Sequence, residues 1–112
     1  MTQIIVPKAN DNMISIVIDG VAYELALSYN AEAEYWSLGV YDSSGAPIIA
    51  RMKIVPNFPI NRYFWRTDMP QGIFVVATTE SALKRDSFDS EKAELLYIPY
   101  EELPEEVRAY AR

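Results

Sequence analysis

The sequence predicts an all-β fold, a small antiparallel barrel or sandwich of six to seven strands, with a short helix as the only α element. Three observations support this fold class. Apolar residues recur at every second position in several segments, turn-forming residues separate these segments, and 50% of the 112 residues are hydrophobic. A chain of this length builds one hydrophobic core, so we expect a single β domain over residues 1–112. Its core spans roughly residues 13–98, with an N-terminal arm (1–12) and an acidic C-terminal tail (99–112).

The most regular segment is a hairpin around Asp19-Gly20, a dipeptide that readily adopts the positive φ angles of a tight turn. Apolar and polar residues alternate before this turn and over residues 21–29 after it. Because successive side chains of a strand point to opposite faces, Glu24 and Ser28 are predicted to be exposed. The opposite face is predicted to be largely buried and carries Val21, Tyr23, Leu25 and Leu27.

Two more strands are predicted in the first half of the chain. The third, at residues 35–41, points Trp36, Leu38 and Val40 inward. We expect Trp36 to pack in the core against the hairpin, with its indole N–H bonded to a partner. The fourth, at residues 47–55, exposes Arg51 and Lys53 and buries Ile48, Ala50, Met52 and Ile54.

The second half of the chain is less regular. Strands are predicted at residues 73–79 and 93–98, whereas residues 60–68 fit either a strand or an irregular aromatic loop. The polar stretch 81–91 is predicted to be a mobile loop or a short helical turn. Residues 101–108 are predicted to form a short helix in an exposed tail, because acidic residues lie near its start and Arg108 near its end.

The composition leaves few groups for catalysis. The chain has neither cysteine nor histidine, which excludes disulfides, thiolate or imidazole zinc sites, and Ser–His–Asp or Cys–His catalysis. The carboxylates lie in polar turns and in the acidic tail, where nothing predicts the perturbed pKa that acid–base catalysis requires. No glycine-rich phosphate loop is present. We therefore expect a protein that is not an enzyme and that binds no metal or other cofactor.

Net charge and hydropathy limit the partners. Sixteen acidic against ten basic residues give a formal charge of −6, which disfavours binding to nucleic acid. The longest apolar run is about five residues, whereas a membrane-spanning helix needs about 20. The N-terminus lacks the basic start and long apolar run of a signal peptide. These features predict a soluble protein made in a cytoplasm, with no nucleic-acid or membrane partner.

A local charge reversal marks the candidate binding surface. Between Pro47 and Arg66 the sequence has four basic residues and no acidic one, and three consecutive aromatic residues lie between two of the arginines. Aromatic side chains and arginine are enriched where proteins bury surface against one another. The predicted partner-binding residues, expected to form one partly exposed patch, are Arg51, Lys53, Arg62, Tyr63, Trp65 and Arg66.

The sequence leaves two alternatives for this segment open. Phe64 and Trp65 could simply cover an open end of a barrel, with the aliphatic parts of Arg62 and Arg66 lying beside them. Aromatic residues with arginine can also stack on single-stranded nucleic acid. The overall charge of −6 disfavours this second alternative.

Several ordered segments together point to a known family. The hairpin ends in Tyr29-Asn30, and Trp36-Ser37-Leu38-Gly39-Val40-Tyr41-Asp42 follows it. The order continues with Ser43-Ser44-Gly45-Ala46-Pro47-Ile48, then Ile54-Val55-Pro56-Asn57, and closes with Ala93-Glu94-Leu95-Leu96-Tyr97-Ile98. Over residues 13–98 the chain thereby resembles the baseplate plug family of contractile-tailed bacteriophages.

This resemblance implies a small, β-rich, non-enzymatic structural protein of a phage or prophage tail. Such a plug would lie at the centre of the virion baseplate and dock on hub proteins, after synthesis in the cytoplasm of the bacterial host. The resemblance implies no catalytic residue. An exposed sheet edge could in addition pair with a second copy of the chain, which would be self-association.

Two other functions remain compatible with the residues. A small β barrel or sandwich can be a ligand- or protein-binding module, in which exposed Tyr and Trp side chains stack on a sugar or a peptide. An enzyme that uses only carboxylates, in the manner of glycosidases, is the other.

Overall fold

A computed structural model describes residues 2–61, 68–106 and 108, and within them seven strands form two antiparallel sheets. The larger sheet has the strand order β2-β3-β4-β5 and the smaller one the order β1-β7-β6. The described strands do not close into a barrel, so of the two predicted architectures the sandwich is confirmed. The elements are β1 (Thr2–Ile4), β2 (Asp11–Ile18), β3 (Val21–Asn30), β4 (Tyr35–Asp42), β5 (Pro47–Lys53), β6 (Ile73–Thr78), β7 (Ala93–Ile98) and a 3₁₀ turn (Tyr100–Glu102).

The β2–β3 hairpin has the predicted register. Asp19 and Gly20 have φ angles of 53° and 77° and join the paired residues Ile18 and Val21. This geometry suits a two-residue turn, because positive φ at both positions matches the twist of the flanking strands. The inward face is confirmed as buried at Tyr23, Leu25 and Leu27.

One predicted core residue of the hairpin is exposed. The prediction that Val21 is buried is wrong, because its side chain is 51% exposed. The β3–β4 ladder begins only at Tyr23, so β4 does not flank Val21. On the other face, Glu24 and Ser28 are half-buried rather than exposed, since both β2 and β4 pair with β3 there.

A bulge interrupts the β4–β5 pair. Two residues of β5, Ala50 and Arg51, lie opposite the single residue Gly39 of β4, and both are exposed. The prediction that Ala50 points into the core is therefore wrong. A Cβ atom at Gly39 would lie 2.5 Å from the carbonyl oxygen of Ala50, so this close approach requires glycine. The other inward predictions for these two strands are confirmed by the burial of Trp36, Leu38, Val40, Ile48, Met52 and Ile54.

Trp36 lies in the centre of the core and is 1% exposed. Its ring packs against Tyr29 of β3 and, edge to face, against Phe88, with centroid separations of 5.3 and 5.2 Å. The indole N–H donates a 3.0 Å hydrogen bond to the carbonyl oxygen of Lys84. The predicted packing of Trp36 against the hairpin, with its N–H bonded, is thus confirmed.

The stretch 81–91, predicted to be a mobile loop or a helical turn, is a series of turns packed onto the core. Leu83 and Phe88 are buried, and so is Ser87. The Ser87 hydroxyl accepts a hydrogen bond from the Lys84 N–H and donates one to the Glu80 carboxylate, both at 2.8 Å. This loop therefore covers one side of Trp36, although most of its residues are polar.

The outer edge of β6 is covered by the segment 57–61. The Asn57 N–H donates a hydrogen bond to the carbonyl oxygen of Val76, and the Ile60 N–H donates one to the carbonyl oxygen of Phe74. The Asn57 side chain also donates to the carbonyl oxygen of Thr78 and accepts from its N–H, at 2.8 and 3.0 Å. The Asn61 side chain repeats this pattern by donating to Gly72 at 3.1 Å and accepting from the Phe74 N–H at 3.0 Å. The side-chain amides of the two asparagines thereby supply hydrogen bonds that the backbone of a neighbouring strand would otherwise make.

The N-terminal residues form part of the smaller sheet. β1 pairs with β7, with Gln3 opposite Leu96, and Ile4 is buried. The segment that we expect to be an arm therefore contributes to the core through its first residues.

The predicted C-terminal helix is interrupted at Leu103, and the Arg108 N–H closes a separate turn by donating to the carbonyl oxygens of Pro104 and Glu105. Only the 3₁₀ turn at residues 100–102 is helical before Pro104, because proline disfavours helical backbone at the preceding residue, and Leu103 has φ −79° and ψ 140°. Leu103 is buried and packs with Ile73 and Tyr100. The start of the tail is consequently anchored to the sandwich rather than exposed throughout.

Replacing Trp36 tests the importance of this packing. Trp36→Ala should lower the free energy of unfolding by about 3–5 kcal/mol, because it leaves a large cavity among Tyr29 and Phe88. Val21→Ala is the matched control, since Val21 is also an apolar strand residue but is exposed, and should change the stability by about 0.5 kcal/mol or less. Urea unfolding measures both values. An unfolding midpoint of Trp36→Ala equal to that of the wild type would contradict the packing described here.

The two asparagines offer a matched pair at the β6 edge. Asn61→Asp and Asn57→Asp each replace an amide donor with a carboxyl group facing a carbonyl oxygen. Asn61 is buried whereas Asn57 is exposed. Asn61→Asp should therefore cost about 1–3 kcal/mol of unfolding free energy, and Asn57→Asp clearly less, because water can solvate the new group only at residue 57. Equal losses in urea unfolding would show that burial does not set the strength of these contacts.

Candidate partner-binding surface

The described part of the predicted patch lies on β5, an outer strand of the larger sheet. Arg51 and Lys53 are both exposed, as predicted, and the bulge turns Ala50 outward beside Arg51. The Lys53 ammonium lies 5.3 Å from the centroid of the Tyr35 ring, which is a cation–π contact. Among the described residues neither basic side chain forms an ion pair with a carboxylate. Both charges therefore remain available to a partner.

An apolar groove lies next to Lys53. It has a volume of about 260 Å³, and its walls include Tyr35, Val55 and Leu83, with the acidic residue Glu34 also in the lining. The side chain of Val55 is 50% exposed and adds apolar surface to this groove. Basic charge and an apolar depression thus occur side by side. This combination is typical of surfaces that bind other proteins.

The second half of the predicted patch lies outside the described residues. These residues are Arg62, Tyr63, Trp65 and Arg66. That they join Arg51 and Lys53 in a single surface therefore stays a prediction. The described residues just before them, Ile60 and Asn61, are buried.

The titratable groups show no tuning for acid–base chemistry among the described residues. Burial raises the pKa of Tyr97 to about 12, although the hydrogen bond from the Gly72 N–H partly opposes this shift. Burial, followed by the nearby charge of Asp19, raises the pKa of Tyr23. The hydroxyl of Ser44 and the N–H of Ala46 donate to Asp42 and lower its pKa. Each shift moves the group further from neutral pH, opposite to what a general acid or base needs.

The described residues contain no group of three or more acidic side chains placed to hold a metal ion. In the same part of the chain, no helix has the length and apolar character that crossing a membrane requires.

Exposed apolar residues also lie on β2, the other edge strand of the larger sheet, and their exposure was not predicted from the sequence. Met13 and Val17 of β2 are 58% and 68% exposed. A signal for them exists, because residues 13–18 are apolar at both odd and even positions except at Ser15. A strand that is apolar on both faces has more apolar surface than a single core face requires.

A β sandwich with a basic edge, an adjacent apolar groove and no tuned acid–base group among its described residues fits the class of structural proteins that bind other proteins. Comparison with protein-family models identifies the assembly. The family described as the cyanophage baseplate Pam3 plug gp18 matches residues 1–101, and the chain belongs to this family. It is therefore a structural component of a phage tail baseplate, and the resemblance predicted from the sequence is confirmed. None of the curated proteins matches the chain.

The burial of Tyr97 leads to a prediction about pH dependence. Because the folded-state pKa of Tyr97 is raised to about 12, the unfolded chain loses this proton first. The protonated Tyr97 side chain therefore makes its full contribution to the free energy of unfolding below about pH 10. This contribution is lost as the pH rises towards 12. Tyr97→Phe should show a shallower decline over that interval in urea unfolding. At neutral pH it should be less stable by about 1–3 kcal/mol, since the buried Gly72 N–H loses its acceptor. If the free energy of unfolding fell equally steeply in the wild type and in Tyr97→Phe, Tyr97 would not be the source of the pH dependence.

Proposed function

We propose that this protein is the plug at the centre of the phage baseplate, where it docks on hub proteins and has a structural rather than an enzymatic role. The observation that carries the proposal is the family match, which covers residues 1–101. The protein would be synthesised in the cytoplasm of the bacterial host and incorporated during tail assembly. A plug needs surfaces that recognise its neighbours, and the described residues offer one on β5.

The β5 surface supports docking on an acidic hub surface. Arg51 and Lys53 are exposed without a carboxylate partner among the described residues, although the chain carries a net charge of −6. Basic charge segregated in this way orients and accelerates the approach of an acidic partner. The groove beside Lys53 would then receive an apolar side chain of the hub. We propose that the same surface includes Arg62, Tyr63, Trp65 and Arg66.

Hub binding should respond to the charge on β5 and not to charge elsewhere. When the chain is co-expressed with the hub proteins of its phage, Arg51→Glu combined with Lys53→Glu should reduce co-purification at least about tenfold. The control combines Lys8→Glu with Lys92→Glu, which are exposed lysines away from β5 and produce the same change in net charge. It should bind like the wild type. Equal losses in both pairs would reject β5 as the docking surface.

The aromatic segment is tested by Trp65→Ala and Arg66→Ala in the same assay. An interface anchor should weaken binding by about 2 kcal/mol or more and leave the thermal midpoint nearly unchanged. A residue that covers the core should instead lower the thermal midpoint when truncated. A melt that collapses for Trp65→Ala, with unchanged binding per folded molecule, would exclude Trp65 from the docking surface. Failure of the wild type to co-purify with any hub protein would reject hub docking itself.

A further inference from the structure

The four edges of the two sheets differ in how well they are protected. The segment 57–61 covers β6, and β1 is only three residues long. β5 begins at Pro47, contains the bulge and carries two basic residues, all of which discourage strand addition. β2 has none of these features. It pairs with β3 in regular register over eight residues and contains no proline, lysine or arginine.

The backbone of β2 offers hydrogen-bonding groups along this edge. In an antiparallel pair, alternate residues exchange hydrogen bonds with the neighbouring strand. The Tyr29 N–H donates to the carbonyl oxygen of Asn10 at 2.8 Å, so even-numbered residues bond to β3. The N–H and C=O groups of Met13, Ser15 and Val17 consequently point away from β3. Within the described part of the chain, no second strand pairs with them.

The sandwich is also open at this edge. Ile14 and Ile16, on the inner face of β2, are only half-buried. Next to Ile16 lies a depression of about 140 Å³, and its lining also includes Ile18, Tyr97 and Pro99. An added strand would place every second side chain on the inner side of the sheet, beside Ile14, Ile16 and this depression, and would complete the burial of the inner face. Those side chains must be apolar.

Charge determines which strand fits. β2, β3 and the turn between them contain three acidic residues, Asp11, Asp19 and Glu24, and no basic one. Asp11 lies at the start of β2 and Asp19 directly after its end. A second copy of β2 in antiparallel register with Ser15 opposite Ser15 would place Asp11 against Asp19, so like charges oppose self-pairing. An incoming strand with lysine or arginine on its outer face is attracted instead.

We infer that β2 binds an extended segment of another protein, one that alternates apolar with basic residues, as a fifth strand of the larger sheet. Strand addition of this kind gains affinity from main-chain hydrogen bonds and specificity from alternate side chains. β2 and β5 are opposite edges of the same sheet. The inference therefore concerns a second surface and does not depend on hub docking through β5.

A synthetic peptide that alternates Val with Lys is the probe, and the measurement is its binding to the full chain by fluorescence anisotropy. Ser15→Pro removes an outward N–H without removing a β2–β3 bond. Ser15→Ala is its matched control, because both variants lose the 3.1 Å bond from the Ser15 hydroxyl to Glu24. Ser15→Ala should bind like the wild type, and Ser15→Pro should bind at least about tenfold more weakly.

Two further measurements distinguish the outcomes. Val17→Lys keeps the backbone intact and should weaken binding of the Lys peptide while improving that of a peptide alternating Val with Glu. This variant decides the matter if circular dichroism shows that Ser15→Pro is unfolded. Equal binding of both peptides to the wild type, no binding of the Lys peptide, or unchanged binding by folded Ser15→Pro would overturn the inference. So would a dimer in sedimentation that Ser15→Pro abolishes, because a second copy would then occupy β2.

Discussion

The outer strands of an open β sandwich have backbone N–H and C=O groups without a ladder partner on one side, and much of this structure follows from how each edge meets that constraint. At β6, two asparagine side chains and the backbone of residues 57–61 supply the missing partners. At β5, a bulge that depends on Gly39 interrupts the ladder and turns Ala50 outward beside Arg51. The candidate surfaces lie where the sheet ends, on β5 and on β2. Both surfaces proposed to bind other proteins therefore lie at edges of the larger sheet.

Regular alternation made much of the fold predictable from the sequence. β3, β4 and β7 each have apolar residues at every second position, and a strand with one buried face leaves this signature whatever its neighbours are. The bulge left no such signature, because one additional residue in β5 changes the facing of Ala50 without altering the composition. Val21 has the predicted position in the alternating pattern, but it is exposed because the β3–β4 ladder ends at Tyr23 and no β4 residue lies beside it.

Contacts between distant segments were the least predictable. Asn57 and Thr78 lie 21 residues apart in sequence, and nothing in either segment indicates that one bonds the other. The turns at residues 81–91 are polar apart from a few residues, yet Phe88 contacts Trp36. For the candidate site, the exposure of Arg51 and Lys53 followed from alternation. The open edge at β2 could not be predicted from the sequence, because the order of strands in a sheet depends on which distant segments pair. The family match also extends past the resembling residues 13–98 to 1–101, and thereby includes β1 and part of the 3₁₀ turn.

The larger sheet also has a polarity across its width. Asp11 and Asp19 lie at the two ends of its β2 edge, whereas its β5 edge carries Arg51 and Lys53. The sheet is therefore an electric dipole whose axis runs from strand to strand. Near a charged surface such a dipole experiences a torque before any contact forms, so a molecule arriving with the wrong edge forward tends to rotate. If the protein occupies the proposed position at the centre of the baseplate, this torque would help to orient it as it approaches, and the effect would weaken as salt is added.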